Sequence, residues 1–113
     1  WEGHSIRGEL PFLFQGRLAD MNLGTAAGTS CSPALQQRLE AVLAGQEEFD
    51  SVVNGRFKGG HITRHYGDPA SGIEAVQMET SQRAYMDEAS FAYNEAKAAR
   101  AQALIRRLLE TTL

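Results

Sequence analysis

A cluster of cationic side chains on a glycine-rich stretch is the part of the sequence best suited to chemistry. The stretch Asn54–Tyr66 contains the residues Arg56, Lys58, Arg64, His61 and His65, with Gly55, Gly59 and Gly60 among them. Glycine lets backbone N–H groups approach a ligand closely, and arginine grips a carboxylate or phosphate in a fork. The stretch therefore predicts a site for a small anion. The alternative is a solvated hairpin whose basic residues face water.

A carboxylate at the end of an apolar run is the second candidate. The run Ile73–Glu79 predicts a strand, with Gln77 and Glu79 on one face and Val76 and Met78 on the other. A buried carboxylate is costly unless a cation or metal faces it, so Glu79 is a candidate for function. The alternative is a glutamate that reaches solvent at the strand end.

The three histidines are His4, His61 and His65, and each could ligate a metal or transfer a proton. None belongs to a complete local motif, since the sequence contains no HExxH, no paired CxxC and no HxH. A structural role is the alternative for each of them.

Size and charge limit the class of partner. The chain has 113 residues, enough for one domain, and a net charge of −3 with a pI near 5.6. This charge argues against a nucleic-acid partner and makes the basic stretch a local positive feature. A small anionic substrate is therefore the expected ligand.

The single cysteine, Cys31, allows no internal disulfide and indicates the cytoplasm. No apolar run reaches the length of a membrane span, and no signal-peptide pattern is present. We therefore expect no membrane partner.

The elements that must position these residues form an α/β pattern with one domain over residues 1–113. Ser32 and Pro33 predict the start of a helix that Gly45 ends, and Asn94 predicts the cap of a second helix that runs to about Thr111. Short strands are predicted at Asp20–Gly24 and Phe49–Val53. Leu10–Phe14 is expected to pack against the core.

Four segments carry a resemblance to a known family. They are Trp1–Ile6 (WEGHSI), Asp20–Thr25 (DMNLGT), Asn54–Gly67 (NGRFKGGHITRHYG) and Val76–Glu88 (VQMETSQRAYMDE). In this order and at this separation they resemble the C-terminal half of the N-formylglutamate amidohydrolases, also called N-formylglutamate deformylases. The resemblance implies hydrolysis of N-formyl-L-glutamate to formate and L-glutamate, a step of histidine degradation. It also implies a partial mixed sheet with flanking helices, like the C-terminal half of a zinc-carboxypeptidase-like fold.

The resemblance assigns roles to individual residues. It implies that His4 is a zinc ligand and that Glu79 is the general base. Arg56 and Arg64 would bind the substrate carboxylates, and Asn54 and Arg83 would help to hold the substrate or the loops.

The family's other zinc ligands belong to an earlier half. Since catalytic zinc normally needs three protein ligands, we expect this chain alone to bind no zinc stably and to be inactive. The alternative is a non-catalytic module for anion binding or oligomerisation. We expect a homo-oligomer, because half of such a fold would leave a sheet edge uncovered.

Overall fold

The computed structural model describes all residues from Trp1 to Leu113. Four strands are present: β1 (Glu2–Ile6), β2 (Met21–Gly24), β3 (Ser51–Val53) and β4 (Gln77–Ser81). Three α-helices accompany them: α1 (Pro33–Ala44), α2 (His61–Tyr66) and α3 (Glu95–Thr111). Two short 3₁₀ turns lie at Pro69–Ser71 and Gln82–Ala84. No helix is both long and apolar enough to cross a membrane.

The strands form one mixed sheet in the order β1-β4-β2-β3. Strand β4 is parallel to β1 and antiparallel to β2, and β2 is parallel to β3. The prediction of an α/β fold with a mixed sheet and flanking helices is therefore confirmed. The hairpin alternative for the basic stretch is wrong, because β3 and β4 are not neighbours in the sheet.

The hydrophobic core lies on one face of the sheet. Met21, Leu23 and Met78 point from β2 and β4 towards α1 and α3, and each is at most 2% exposed. The helices contribute a shared set of buried side chains: Leu35, Leu39, Leu43, Ala101, Leu104 and Leu108. Cys31 also lies in this core. Because α1 and α3 both cover this face, the opposite face is left to polar side chains.

Both long helices begin where the sequence predicts. The hydroxyl of Ser32 accepts a hydrogen bond from the backbone N–H of Leu35, and Gly45 follows the last residue of α1. The Asn94 side chain accepts from the backbone N–H of Lys97 at 2.9 Å and caps α3. These contacts satisfy N–H groups that the first helical turn leaves free.

Three local expectations need correction. Strand β3 is shorter than Phe49–Val53 and lies at a sheet edge, where Ser51 and Val52 are exposed. Strand β4 begins at Gln77 and continues past Glu79 to Ser81, although its faces alternate as predicted. The segment Leu10–Phe14 does not pack as a unit on the core, since Phe12 is 86% exposed.

Candidate functional site

The polar face of the sheet brings two predicted site residues together. His4 on β1 is the Cα partner of Glu79 on β4, and Glu79 is the Cα partner of Asn22 on β2. Directly paired residues project to the same face of a sheet. His4 and Glu79, which are far apart in sequence, are therefore neighbours on the face opposite the core.

A cavity of about 460 Å³ lies over this face. Its lining combines the two strand residues with the glycine-rich stretch: His4, Gln77, Glu79, Arg56, Phe57, Lys58, Gly59, Gly60 and Arg64. Three of these side chains are permanent cations, whereas Glu79 is the single carboxylate in the lining. The cavity is therefore a positive region on a chain whose net charge is −3.

Glu79 is held without a partner for its charge. It is 7% exposed, and its carboxylate makes no hydrogen bond or ion pair, although its backbone carbonyl accepts from the Asn22 amide at 3.0 Å. Burial raises the pKa of Glu79, an effect that His4 opposes and the charge of Glu2 reinforces. A raised pKa makes a carboxylate a stronger base, which favours a role in proton transfer.

Arg56 and Arg64 both line the cavity, and each is anchored by one backbone contact. Arg56 donates from Nη2 to the carbonyl of Leu13 at 2.7 Å, and Arg64 donates from Nε to the carbonyl of Gly59 at 2.7 Å. The two outer nitrogens of Arg64 make no hydrogen bond. These free donors are the groups with which a guanidinium binds a carboxylate in a fork.

His4 reaches the cavity with its ring tied to a buried neighbour. Its Nε2 donates to Oε1 of Glu2 at 3.0 Å, and Oε2 of Glu2 accepts from the backbone N–H and hydroxyl of Thr63 at 2.8 and 2.6 Å. Burial of Glu2 disfavours its charge, but the bonds from Thr63 and His4 outweigh burial and lower the pKa of Glu2 to about 2. Glu2 is therefore an anion at neutral pH.

Two glycines allow close approaches between the segments around the cavity. A Cβ atom on Gly24 would lie 2.5 Å from the carbonyl carbon of Lys58, so β2 and the glycine-rich stretch touch through their backbones. A Cβ atom on Gly60 would lie 2.5 Å from Oε1 of Glu2. The backbone N–H of Gly60 also donates to Oε1 of Gln77 at 2.5 Å. Only glycine permits both approaches.

Asn54 and Arg83 lie outside the lining of this cavity. Asn54, with a positive φ of 52°, accepts from the backbone N–H of Thr25 at 2.9 Å and donates to its hydroxyl at 2.8 Å. Arg83 pairs with Asp20 at 2.8 Å and donates to the hydroxyl of Ser81 at 2.8 Å. Both side chains therefore contact neighbouring loops, and a role of either residue in holding the substrate stays a prediction.

Three residues at the site are not among the predicted site residues. Lys58 belongs to the basic stretch without a separate role. Gln77 is placed on the same face as Glu79, but neither Gln77 nor Glu2 is predicted as a site residue. Both precede a predicted site residue by two positions, and residues two apart in a strand share a face. That spacing was the available signal.

The donor set does not by itself form a metal centre. No group of three or more histidine, cysteine, aspartate or glutamate side chains is placed to hold a metal ion. His61 and His65 stack on each other with ring centroids 4.9 Å apart and do not line the cavity with His4. The residues present therefore do not fit a catalytic zinc ion, which needs three protein ligands.

Comparison with known proteins gives consistent matches. The family model described as N-formylglutamate amidohydrolase matches residues 1–86. N-formylglutamate deformylases of Pseudomonas aeruginosa and Pseudomonas putida are 59% and 52% identical over the whole chain. The chain spans 43% of the length of each. A crystal structure of N-formylglutamate amidohydrolase from Ralstonia eutropha JMP134 superposes with a TM-score of 0.76 at 30% identity, over 98% of this chain and 39% of that one.

The unpaired carboxylate of Glu79 leads to a prediction about stability. Because the folded state raises its pKa above the ordinary 4.5, ionised Glu79 destabilises the fold, and the effect grows as pH rises through and above 4.5. Glu79→Gln should raise the free energy of unfolding at pH 7 by about 1 kcal/mol. The gain should shrink as pH falls towards 4.5. Urea denaturation at pH 7 and at pH 4.5 measures this gain in the free energy of unfolding, and Glu47→Gln, at an exposed position, is the control. Equal stability of Glu79→Gln and the parent at pH 7 would contradict the prediction.

Proposed function

The chain belongs to the N-formylglutamate amidohydrolase family, and we propose that it carries the substrate-binding and proton-transfer residues for hydrolysis of N-formyl-L-glutamate to formate and L-glutamate. The observation that carries this proposal is the cavity in which Glu79 lies among Arg56, Lys58 and Arg64. The names of the Pseudomonas relatives support the substrate.

Substrate binding follows from charge. N-formyl-L-glutamate has two carboxylates, and the cavity offers two arginines on opposite sides of a glycine bend. The free nitrogens of Arg64 would take one carboxylate in a fork, and Arg56 would take the other. Lys58 adds a third positive charge without a fixed geometry. Two separate cationic contacts would orient the formyl group towards the sheet.

Proton transfer is the proposed role of Glu79. As general base it would accept a proton from the water that attacks the formyl carbon. The C–N bond then breaks, and the proton passes to the departing amino group of glutamate. The raised pKa of Glu79 makes its carboxylate a stronger base than an ordinary glutamate, which supports this role. Water supplies the oxygen that completes formate, so the atoms balance.

Zinc is part of the activity that the family resemblance implies, and this chain offers it one candidate ligand, His4. With no group of three donors, the 113 residues do not complete a zinc site. We propose that further ligands come from outside these residues and that the chain alone is inactive. A non-catalytic anion-binding module would use the same cavity without the hydrolytic step.

The likeness of the fold to that of zinc carboxypeptidases stays a prediction.

Self-association is also proposed. Strand β1 lies at a sheet edge, and beside it an apolar groove of about 420 Å³ lies between β1 and α3. Trp1, Tyr85, Tyr93 and Ile105 line this groove. The Leu104–Leu109 face of α3 is a less suitable interface, because Leu104 and Leu108 are buried in the core. The β1 edge is therefore the proposed interface of a homo-oligomer.

The proposed biological setting is histidine degradation in the cytoplasm. Cys31 is a free thiol, and free thiols persist in reducing compartments.

The anion site predicts weak glutamate binding. The chain should bind glutamate or N-formylglutamate with a Kd of about 1 mM, and binding should weaken as salt rises. Arg64→Lys should weaken it by about tenfold or less, since the fork is lost although the charge is kept. Titration of the loop amides followed by NMR measures both.

Arg38→Lys is the control for this titration, because Arg38 lies exposed on α1 away from the cavity. If glutamate moves no resonance between Asn54 and Gly67, the anion-site proposal is wrong. Equal affinity of Arg64→Lys and the parent would remove the forked contact from it.

The ligand count predicts weak zinc binding. After dialysis against a mild chelator, the purified chain should retain far less than one zinc ion per molecule, as measured by atomic emission. Retention of one equivalent would contradict the prediction. It would then require a second ligand such as His61 or His65 to move towards His4.

The sheet edge predicts oligomers. Sedimentation at micromolar concentration should find a dimer or larger species. Proline in place of Ser5 should reduce association, because it removes a backbone N–H and disfavours strand pairing. Proline in place of Glu9, outside the strand, is the control. A monomeric parent would rule out the β1 interface.

A further inference from the structure

Glu2 is a buried carboxylate without a lysine or arginine partner. It is 6% exposed at the start of β1, and its only ion-pair contact is with His4. Burying such a group is costly unless hydrogen bonds replace its water shell. Both carboxylate oxygens are in fact used, and each holds a different part of the site.

One oxygen fixes the ring of His4. A carboxylate can only accept, so the 3.0 Å contact between His4 Nε2 and Glu2 Oε1 requires the proton on Nε2. In the neutral ring the lone pair then lies on Nδ1. Glu2 therefore decides which nitrogen of His4 is available as a base or ligand.

The other oxygen holds the first turn of α2. This helix has six residues, and Gly60 at its start has no side chain to cap it. A helix this short is unstable alone. Glu2 Oε2 takes the place of a local cap by accepting from the backbone N–H of Thr63 at 2.8 Å and from its hydroxyl at 2.6 Å. Arg64 is the next residue along α2.

We propose that Glu2 is a positioning residue: its single carboxylate sets the tautomer of His4 and caps α2, and so holds His4 and Arg64 in register across the cavity. Glutamine cannot do both. Its one oxygen can serve Thr63, but its NH₂ group then faces His4 Nε2 and moves the ring proton to Nδ1. Only the consequence for substrate binding rests on the proposed function.

The tautomer of His4 tests this role directly. In the ¹⁵N-labelled 113-residue chain at pH 8, long-range imidazole ¹H–¹⁵N correlation spectra should show the proton of His4 on Nε2. Glu2→Gln should move it to Nδ1. Glu9→Gln, an exposed change of the same charge, should leave it on Nε2. A proton on Nδ1 in the parent, or an unchanged tautomer in Glu2→Gln, overturns the proposal.

A milder variant tests the second role of Glu2, the capping of α2. Thr63→Val removes the hydroxyl donor and keeps the shape of the side chain, so hydrogen exchange of the α2 amides should speed up by about tenfold. Exchange as slow as in the parent would overturn the capping role. If Glu2→Gln fails to fold, a His4 proton found on Nδ1 in the parent chain still overturns the proposal.

Glutamate titration separates this role from the proposed function. If the parent binds no glutamate, the anion site fails, while the tautomer and exchange measurements still decide the role of Glu2. If the parent binds glutamate and Glu2→Gln binds it as tightly, Glu2 does not hold Arg64 in register, and that part of the proposal is wrong.

Discussion

Strand β4 pairs with β1 on one side and with β2 on the other, so the alternation of its side chains sets the chemistry of both sheet faces. Met78 points into the core beneath α1 and α3, while Gln77 and Glu79 point to the cavity. Packing of Met78 in the core under α1 and α3 fixes the position of β4, and so holds the Glu79 carboxylate on the opposite face. A shift of β4 by one residue would exchange the two sets.

Local signals account for what the sequence predicts well. The caps Ser32 and Asn94 lie next to the helices they begin, and the two-residue alternation of β4 is visible in the four letters VQME of Val76–Glu79. Helix α2 is not predicted, because the contact that caps it is not local in sequence. Its first turn is capped by Glu2, which lies 61 positions from Thr63 and is invisible to any local pattern.

The candidate site was predictable in membership but not in detail. Residue type and position indicated His4, Glu79, Arg56 and Arg64 as candidates, the family resemblance gave each of them a role, and the fold brings all four to one cavity. For Asn54 and Arg83 the resemblance left two roles open, holding the substrate or holding the loops. Their hydrogen bonds to Thr25, Ser81 and Asp20 occupy them in holding loops. Only three-dimensional partners reveal that difference.

The backbone contact between Gly24 and Lys58 limits which amino acids position 24 can accept during evolution. Every other amino acid carries a Cβ, which at position 24 would collide with the Lys58 carbonyl. Any substitution of Gly24 would therefore push β2 away from the stretch that contains Arg56. Position 24 therefore tolerates glycine alone, whereas this contact uses only the backbone of Lys58 and places no limit on the side chain at position 58.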